Sequence, residues 1–183
     1  MSSTTTTDIK ATFGLKKVPF TREVTVPWQS EIFADPIADL TTVIANRMSG
    51  ALIAPAGTGK TNVLRALVGG LSEARYRASY LKVTSLSKRD FCRELTRAIG
   101  VESAGTYPSL VRSLQDGVEE IALAHGLRLV IVLDEAHDMR PDVLAILRIL
   151  TNFDMDSRLL LSLILCGQPP LAKLLARADL LAV

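Results

Sequence analysis

Two short segments contain the residues that could carry out chemistry. Residues 54–61 read Ala-Pro-Ala-Gly-Thr-Gly-Lys-Thr, and an apolar run ending at Leu133 is followed by Asp134 and Glu135. Two glycines allow a loop to curl so that its N–H groups point at phosphate oxygens, and the lysine adds a positive charge. A hydroxyl and a carboxylate are oxygen ligands that Mg²⁺ accepts. Together the segments predict a site that binds a nucleoside triphosphate with Mg²⁺.

The first segment resembles the phosphate-binding P-loop from its second glycine onward. Lys60 is expected to reach the β- and γ-phosphates, and Thr61 to give its hydroxyl to Mg²⁺. The pattern G-x-x-x-x-G-K-[ST] begins with glycine, whereas Ala54 stands at that place here. Alanine is penalised there if the position needs a positive φ and is tolerated if it does not, and we expect the second. The predicted nucleotide-binding residues are Ala54, Pro55, Ala56, Gly57, Thr58, Gly59, Lys60, Thr61 and Asn62.

The second segment follows residues 129–133, which are uniformly apolar, as in a strand covered on both faces of a parallel sheet. Because ligands bind at the carboxyl edge of such sheets, the first charges after the strand are expected at the site. We expect Asp134 to hold the Mg²⁺ shell and Glu135 to act as general base on the attacking water. The alternative is that the two acids merely begin a solvated loop. His137 is assigned no role.

Composition favours one compact domain. The chain has 183 residues, of which 48% are hydrophobic and 5% aromatic, and its net charge of +2 permits nucleic-acid contact without arguing for it. A basic patch or an ordinary solvated face is formed by Arg75, Arg77, Lys82, Lys88, Arg89 and Arg93. Cys92 and Cys166 are too few for a disulfide framework, which favours a cytoplasmic protein. No segment is long enough to span a membrane. Residues 1–11 are expected to be a disordered lead and 12–183 the nucleotide-binding domain.

Strands alternate with helices along the chain, which requires parallel pairing and right-handed crossovers. We therefore predict a three-layer α/β/α sandwich with a parallel sheet. The predicted strands are residues 50–53, 78–83, 129–133 and 159–166, and a turn is expected at 152–157. The predicted helices begin at Pro36 with Asp35 as N-cap, at Asn62, after a capping box at Ser87–Asp90, at Pro108, at Pro141 and at Pro169.

These motifs resemble those of a known family. Residues 54–61, 131–137, the phrase Leu-Arg-Ile-Leu-Thr-Asn at 147–152 and the phrase Leu-Cys-Gly-Gln-Pro at 165–169 are similar, in that order, to AAA+ ATPases. The similar members are ExeA-like proteins and transposition helpers of the Mu B, TnsC and TniB kind. Phe13-Gly14-Leu15 with Pro19-Phe20 also resembles the opening of the ExeA-like members. The resemblance covers nearly the whole chain from about residue 12.

The resemblance implies ATP as the nucleotide, Mg²⁺ as the metal and a homo-oligomer as the assembly. It implies that Gln168 senses the γ-phosphate and orients water, although a helix-capping glutamine before two prolines is the alternative. It also implies an arginine finger from a neighbouring subunit, for which Arg177 is the nearer candidate and Arg158 the weaker one. The family normally continues into a C-terminal helical lid, and this chain is expected either to be a fragment or to use the core alone. Without the lid we expect binding to survive better than turnover.

Three functions remain open at this point. The first is an ATP-hydrolysing helper that assembles on double-stranded DNA and activates a transposase. The second is an ExeA-like ATPase that drives assembly of a secretion complex. The third is a catalytically weak nucleotide-binding module or a truncated remnant.

Overall fold

The computed structural model describes Gly14 and residues 31–83, 85–102, 105–151 and 159–177. One sheet runs through this part of the chain. Its strands are β1 (Gly50–Ile53), β2 (Tyr76–Lys82), β3 (Arg128–Asp134) and β4 (Leu161–Gly167). All pairs are parallel, and the spatial order is β1-β4-β3-β2. Because parallel neighbours cannot be joined by a hairpin, each connection must cross over the sheet.

The described helices are α1 (Ala34–Ala45), α2 (Lys60–Gly70), α3 (Lys88–Ile99), α4 (Tyr107–Glu119), α5 (Pro141–Thr151) and α6 (Pro170–Leu175). Helices α2 to α5 lie in the crossovers between strands, whereas α1 precedes β1 and α6 follows β4. Short 3₁₀ turns occupy Glu31–Phe33 and Ala136–Asp138, and a π-helical turn occupies Glu120–Ala124.

The helices cover both faces of the sheet. Helices α1 and α2 pack on one face, against alternate strand residues that include Val130, Val132 and Cys166. The other face carries Leu129, Ile131 and Leu133, and these pack with α3 to α6 in a larger apolar cluster. Two covered faces explain why β3 is apolar at every position from Leu129 to Leu133. The predicted three-layer α/β/α sandwich is confirmed.

Several predicted boundaries are wrong by a few residues. Helix α1 begins at Ala34 after Phe33, and Asp35 lies within its first turn rather than at the N-cap. Strand β2 begins at Tyr76 because its pairing with β3 extends to Arg128, and β4 begins at Leu161 rather than at residue 159. The helix predicted to begin at Pro108 starts at Tyr107, leaves α-helical geometry after Glu119 and ends in the π turn.

Other local predictions are confirmed. β1 has the predicted bounds, and Ser87 caps α3, its hydroxyl oxygen accepting a hydrogen bond from the Asp90 N–H at 3.2 Å. Cys92 and Cys166 are buried and unpaired, and burial raises the pKa of the Cys92 thiol to about 11. Within the described ranges no helix is both long and apolar enough to cross a membrane. The predicted turn at 152–157, Arg158, and the phrases at 13–15 and 19–20, apart from Gly14, lie outside the described residues.

Candidate functional site

The loop between β1 and α2 has the backbone that phosphate binding requires. Gly57 and Gly59 have φ values of +79° and +86°, a region that glycine enters without a steric penalty. Ala54 is not among the described residues with positive φ, so its methyl group causes no backbone strain. Its N–H continues the strand pairing by donating to the Gly167 carbonyl at 3.2 Å. Alanine is therefore accommodated at the position where the pattern has glycine.

Lys60 lies across this loop. Its ammonium donates to the carbonyl oxygens of Ala54 at 3.0 Å and Pro55 at 2.8 Å, and the Thr58 hydroxyl donates to Pro55 at 2.9 Å. These bonds hold the lysine at the mouth of the loop, at the N-terminus of α2. Backbone N–H groups and the helix dipole favour an anion at that end of a helix. A phosphate that replaced the two carbonyls would meet a charge already in place.

Asp134 ends β3 beside Thr61, although 73 positions separate them in sequence. The Asp134 carboxylate is 3% exposed. Its Oδ1 accepts the Glu135 N–H at 2.9 Å, and its Oδ2 accepts the Tyr80 hydroxyl at 2.8 Å and, more weakly, the Thr61 hydroxyl at 3.4 Å. The structure thus brings together the hydroxyl and the carboxylate that the sequence assigned to Mg²⁺. Tyr80 was not among the site residues predicted from the sequence.

Glu135 has an unusual backbone and an unusual side chain. Its φ of +56° and ψ of +33° place a non-glycine residue in the left-handed region, which costs about 1–3 kcal/mol. Its Oε2 is buried without a hydrogen-bond partner in the described part of the chain, and it lies 3.4 Å from the His137 Nδ1. A buried carboxylate oxygen without a donor retains its capacity to accept a proton or a hydrogen bond. That is the capacity a general base needs.

Gln168 follows β4 at the same edge of the sheet and is half-buried. Its backbone N–H donates to the His137 Nδ1 at 3.4 Å. His137 was given no role from sequence. It contacts both Glu135 and Gln168 and so connects the turn after β3 to the end of β4.

One cavity of about 330 Å³ lies between the glycine-rich loop, Glu135 and Gln168, and Asp134 is not among its lining residues. Its lining residues are Ala56, Gly57, Gly59, Lys60, Thr61, Asn62, Glu135 and Gln168. Ala54, Pro55 and Thr58 belong to the loop without lining the cavity. Arg177 follows α6 and is not a lining residue either. Burial, and secondarily the Asp134 carboxylate, raises the pKa of the Cys166 thiol to about 12, so this neighbour stays protonated.

The donor set fits magnesium and a polyphosphate. Among the described residues no group of three or more His, Cys, Asp and Glu side chains could hold a metal ion. Mg²⁺ does not need such a group, since it is typically bound by one or two protein oxygens, several waters and the substrate phosphates. Thr61 and Asp134 supply those protein oxygens, and the glycine-rich loop with Lys60 supplies the phosphate cradle.

Two residues of the predicted basic patch are engaged in local contacts. Arg93 pairs with Asp90 at 3.1 Å, and Arg89 donates to the Gly105 carbonyl at 2.9 Å. Arg75, Lys82 and Lys88 are exposed and have no carboxylate partner among the described residues.

The loop, the acidic strand end and the parallel sheet define a P-loop nucleotide-binding domain. Residues 44–175 match the profile of the AAA domain, and the chain belongs to that family. It is therefore an AAA+ ATPase-type domain, and this part of the resemblance is confirmed.

Individual relatives agree with this assignment. The chain is 33% identical over 171 residues to General secretion pathway protein A of Aeromonas hydrophila, an alignment that covers 89% of this chain and 30% of that protein. The chain thus spans less than a third of the length of this relative.

Among solved structures, Cdc6p from Pyrobaculum aerophilum has a TM-score of 0.71 at 20% identity, covering 87% of this chain and 44% of that one. The Aeropyrum pernix ORC1 protein in complex with DNA has a TM-score of 0.61 at 19% identity, covering 85% and 44%. Both likenesses show the fold. The narrower Mu B, TnsC and TniB branch stays a prediction.

Proposed function

We propose that this chain binds ATP with Mg²⁺ and hydrolyses it to ADP and phosphate. The observation that carries the proposal is the position of Glu135, which lines the same cavity as Lys60 and Thr61 and whose Oε2 has no hydrogen-bond partner among the described residues. A module that only binds nucleotide needs the loop and the lysine alone. A hydrolase needs in addition a base beside the terminal phosphate, and we assign that task to Glu135.

Each residue has its own task. The Lys60 ammonium would give up its hydrogen bonds to the two loop carbonyls and bind phosphate oxygens instead, and Thr61 and Asp134 would hold the metal. When bound, Mg²⁺ neutralises charge that develops on the phosphates. Glu135 accepts the proton of the attacking water, and Gln168 orients that water. A neighbouring copy in a homo-oligomer supplies an arginine, for which Arg177 and Arg158 are the candidates. The nucleotide-binding domain comprises residues 12–183.

Phosphate release tests the proposal when the unsubstituted chain is compared with Glu135→Gln. Loss of a general base reduces turnover by about 10²–10⁴-fold, whereas nucleotide binding should be retained. Asp138→Asn is a matched control, because Asp138 lies on the same turn with an exposed side chain. Equal phosphate release by the unsubstituted chain and Glu135→Gln would remove the hydrolysis claim and leave only a binding module.

Two partner classes follow for the assembled ATPase. The 33% identity to General secretion pathway protein A favours a role in assembling a secretion complex. The second class is double-stranded DNA, with a transposase as the protein that the oligomer activates. It is supported by Arg75, Lys82 and Lys88, which are exposed and have no carboxylate partner in the described ranges, and by the sequence phrases shared with transposition helpers.

Binding of a fluorescent 30-base-pair duplex at several salt concentrations separates the two classes. A DNA-associated helper should bind the duplex when ATP is present, with an affinity that falls steeply as salt rises. Absence of salt-dependent binding with ATP would contradict the DNA-associated role and leave the secretion-assembly role.

A further inference from the structure

Tyr80 lies on β2, the strand next to β3. The register pairs Tyr80 with Val132 and Lys82 with Asp134. Since residues two apart on a strand share a face, Tyr80 lies on the same face of the sheet as Val132 and Asp134. This is the face covered by α2, which begins at Lys60 and carries the predicted magnesium ligand Thr61 in its first turn. Tyr80 is level with Val132, two residues before Asp134, and its long side chain reaches the Asp134 carboxylate.

The tyrosine hydroxyl makes the shorter contact to the metal-binding carboxylate. It donates to the Asp134 Oδ2 at 2.8 Å, whereas the Thr61 hydroxyl is 3.4 Å from the same oxygen. The other oxygen, Oδ1, accepts the Glu135 N–H. Each carboxylate oxygen is therefore held by a donor that is not a predicted metal ligand. Thr61 is left loosely bound, with its hydroxyl available to the metal.

Tyr80 also borders a groove of about 370 Å³. The residue is 47% exposed, and the other lining residues are Thr61, Leu64, Arg65, Val68 and Gly69.

We propose that Tyr80 is a positioning residue that orients the Asp134 carboxylate for magnesium. The inference rests on the proposed function, because it assigns a residue to the same site. Without the tyrosine hydroxyl, Oδ2 would be a buried and nearly unsatisfied carboxylate oxygen. The nearest remaining donor is Thr61, so the carboxylate would turn toward that hydroxyl and engage the second magnesium ligand. Tyr80 keeps the two ligands separate.

The variant that tests this is Tyr80→Phe, which removes one oxygen atom and keeps the ring. A hydrogen bond to a charged group corresponds to about a tenfold change in an equilibrium, so the Mg²⁺ concentration for half-maximal ATP hydrolysis should rise about tenfold. Binding of ATP without Mg²⁺ should stay unchanged. Tyr76→Phe is the matched control, since Tyr76 is on the same strand at its opposite end.

A double-mutant cycle shows whether the tyrosine acts through Asp134. Tyr80→Phe should weaken Mg-ATP binding in the unsubstituted chain and have no further effect in the Asp134→Asn background. An unchanged magnesium requirement in Tyr80→Phe, or an equal loss in both backgrounds, would overturn the assignment of Tyr80 alone. Failure of the unsubstituted chain to bind Mg-ATP would instead contradict the proposed function and this inference with it.

Discussion

Two non-glycine residues in the described part of the chain have a positive φ, and they lie at opposite edges of the sheet. Arg47 follows α1 at the edge where the strands begin, with φ +57°, and Glu135 follows β3 at the edge where they end, with φ +56°. Around Arg47 the strain has a local explanation. The Arg47 N–H donates to Ile44 and the Met48 N–H to Val43, which is the Schellman pattern that ends a helix.

Glu135 has no such explanation. No helix ends at this position, and the residue leads from β3 into a short 3₁₀ turn. Its side chain leaves a buried oxygen without a hydrogen-bond partner in the described ranges. At the opposite edge, Arg128 donates to the Ala45 carbonyl at 2.9 Å and lies over the Tyr76 ring. Similar backbone strain therefore ends a helix at Arg47, whereas at Glu135 it accompanies a carboxylate oxygen that can still accept a proton.

The largest expected effect is on the carboxyl edge, from Lys60→Ala. Loss of charge-assisted hydrogen bonds to phosphate costs about 1.5–3 kcal/mol, so ATP affinity should fall roughly ten- to a hundredfold in a fluorescence titration. Lys82→Ala is the control, because Lys82 is an exposed lysine at the same edge of the sheet. A similar loss in both variants would show that only general charge matters there.

A smaller effect is expected from Gly59→Ala. An added Cβ would lie 2.7 Å from the Phe33 Cζ, and φ of +86° is unfavourable for alanine. The left-handed conformation alone costs about 1–2 kcal/mol, so chemical denaturation should show at least this loss of unfolding free energy.

The control for this change is Gly69→Ala, on the exposed surface of α2. An added Cβ there meets no atom within 4 Å outside the neighbouring residues and backbone of the helix, and alanine is favoured over glycine in a helix by about 0.5–1 kcal/mol. Gly69→Ala should therefore stabilise the chain. If Gly59→Ala were equally harmless, the loop geometry described for the phosphate cradle would be wrong.

The smallest expected changes in stability come from substitutions of the two strained residues themselves. Arg47→Gly and Glu135→Gly should each raise the free energy of unfolding by up to about 1 kcal/mol, because glycine relieves the left-handed strain. Only Glu135→Gly should abolish phosphate release. Stabilisation accompanied by loss of activity is the signature of strain retained for function. A destabilising Glu135→Gly would indicate a structural role for this side chain.

The sequence predicted the parts of the site that depend on local patterns. The P-loop strand was predicted to the residue, and the apolar run before Asp134 was sufficient to place two acids at the sheet edge. Both features were predictable because each has a local sequence pattern: an apolar strand before a glycine-rich loop, and an apolar strand before two acids. The capping box at Ser87 was predictable for the same reason.

What the sequence did not reveal depends on register and on contacts between distant segments. Tyr80 reads as an ordinary strand residue until β2 is aligned with β3, and a shift by one residue would turn it to the other face. The link of His137 to Gln168 joins strands that are distant in sequence. The π turn after Glu119 continues a helical pattern that sequence periodicity does not distinguish from an α-helix.

The central claim is that Lys60, Thr61, Asp134 and Glu135 converge on one magnesium–nucleotide complex. Isothermal titration calorimetry with Mg-ATP, using the unsubstituted chain, tests it most directly. The structure predicts a binding heat with one nucleotide per chain, which weakens when Mg²⁺ is removed by chelation. Absence of any heat with Mg-ATP, or a heat that is indifferent to Mg²⁺, would contradict the account.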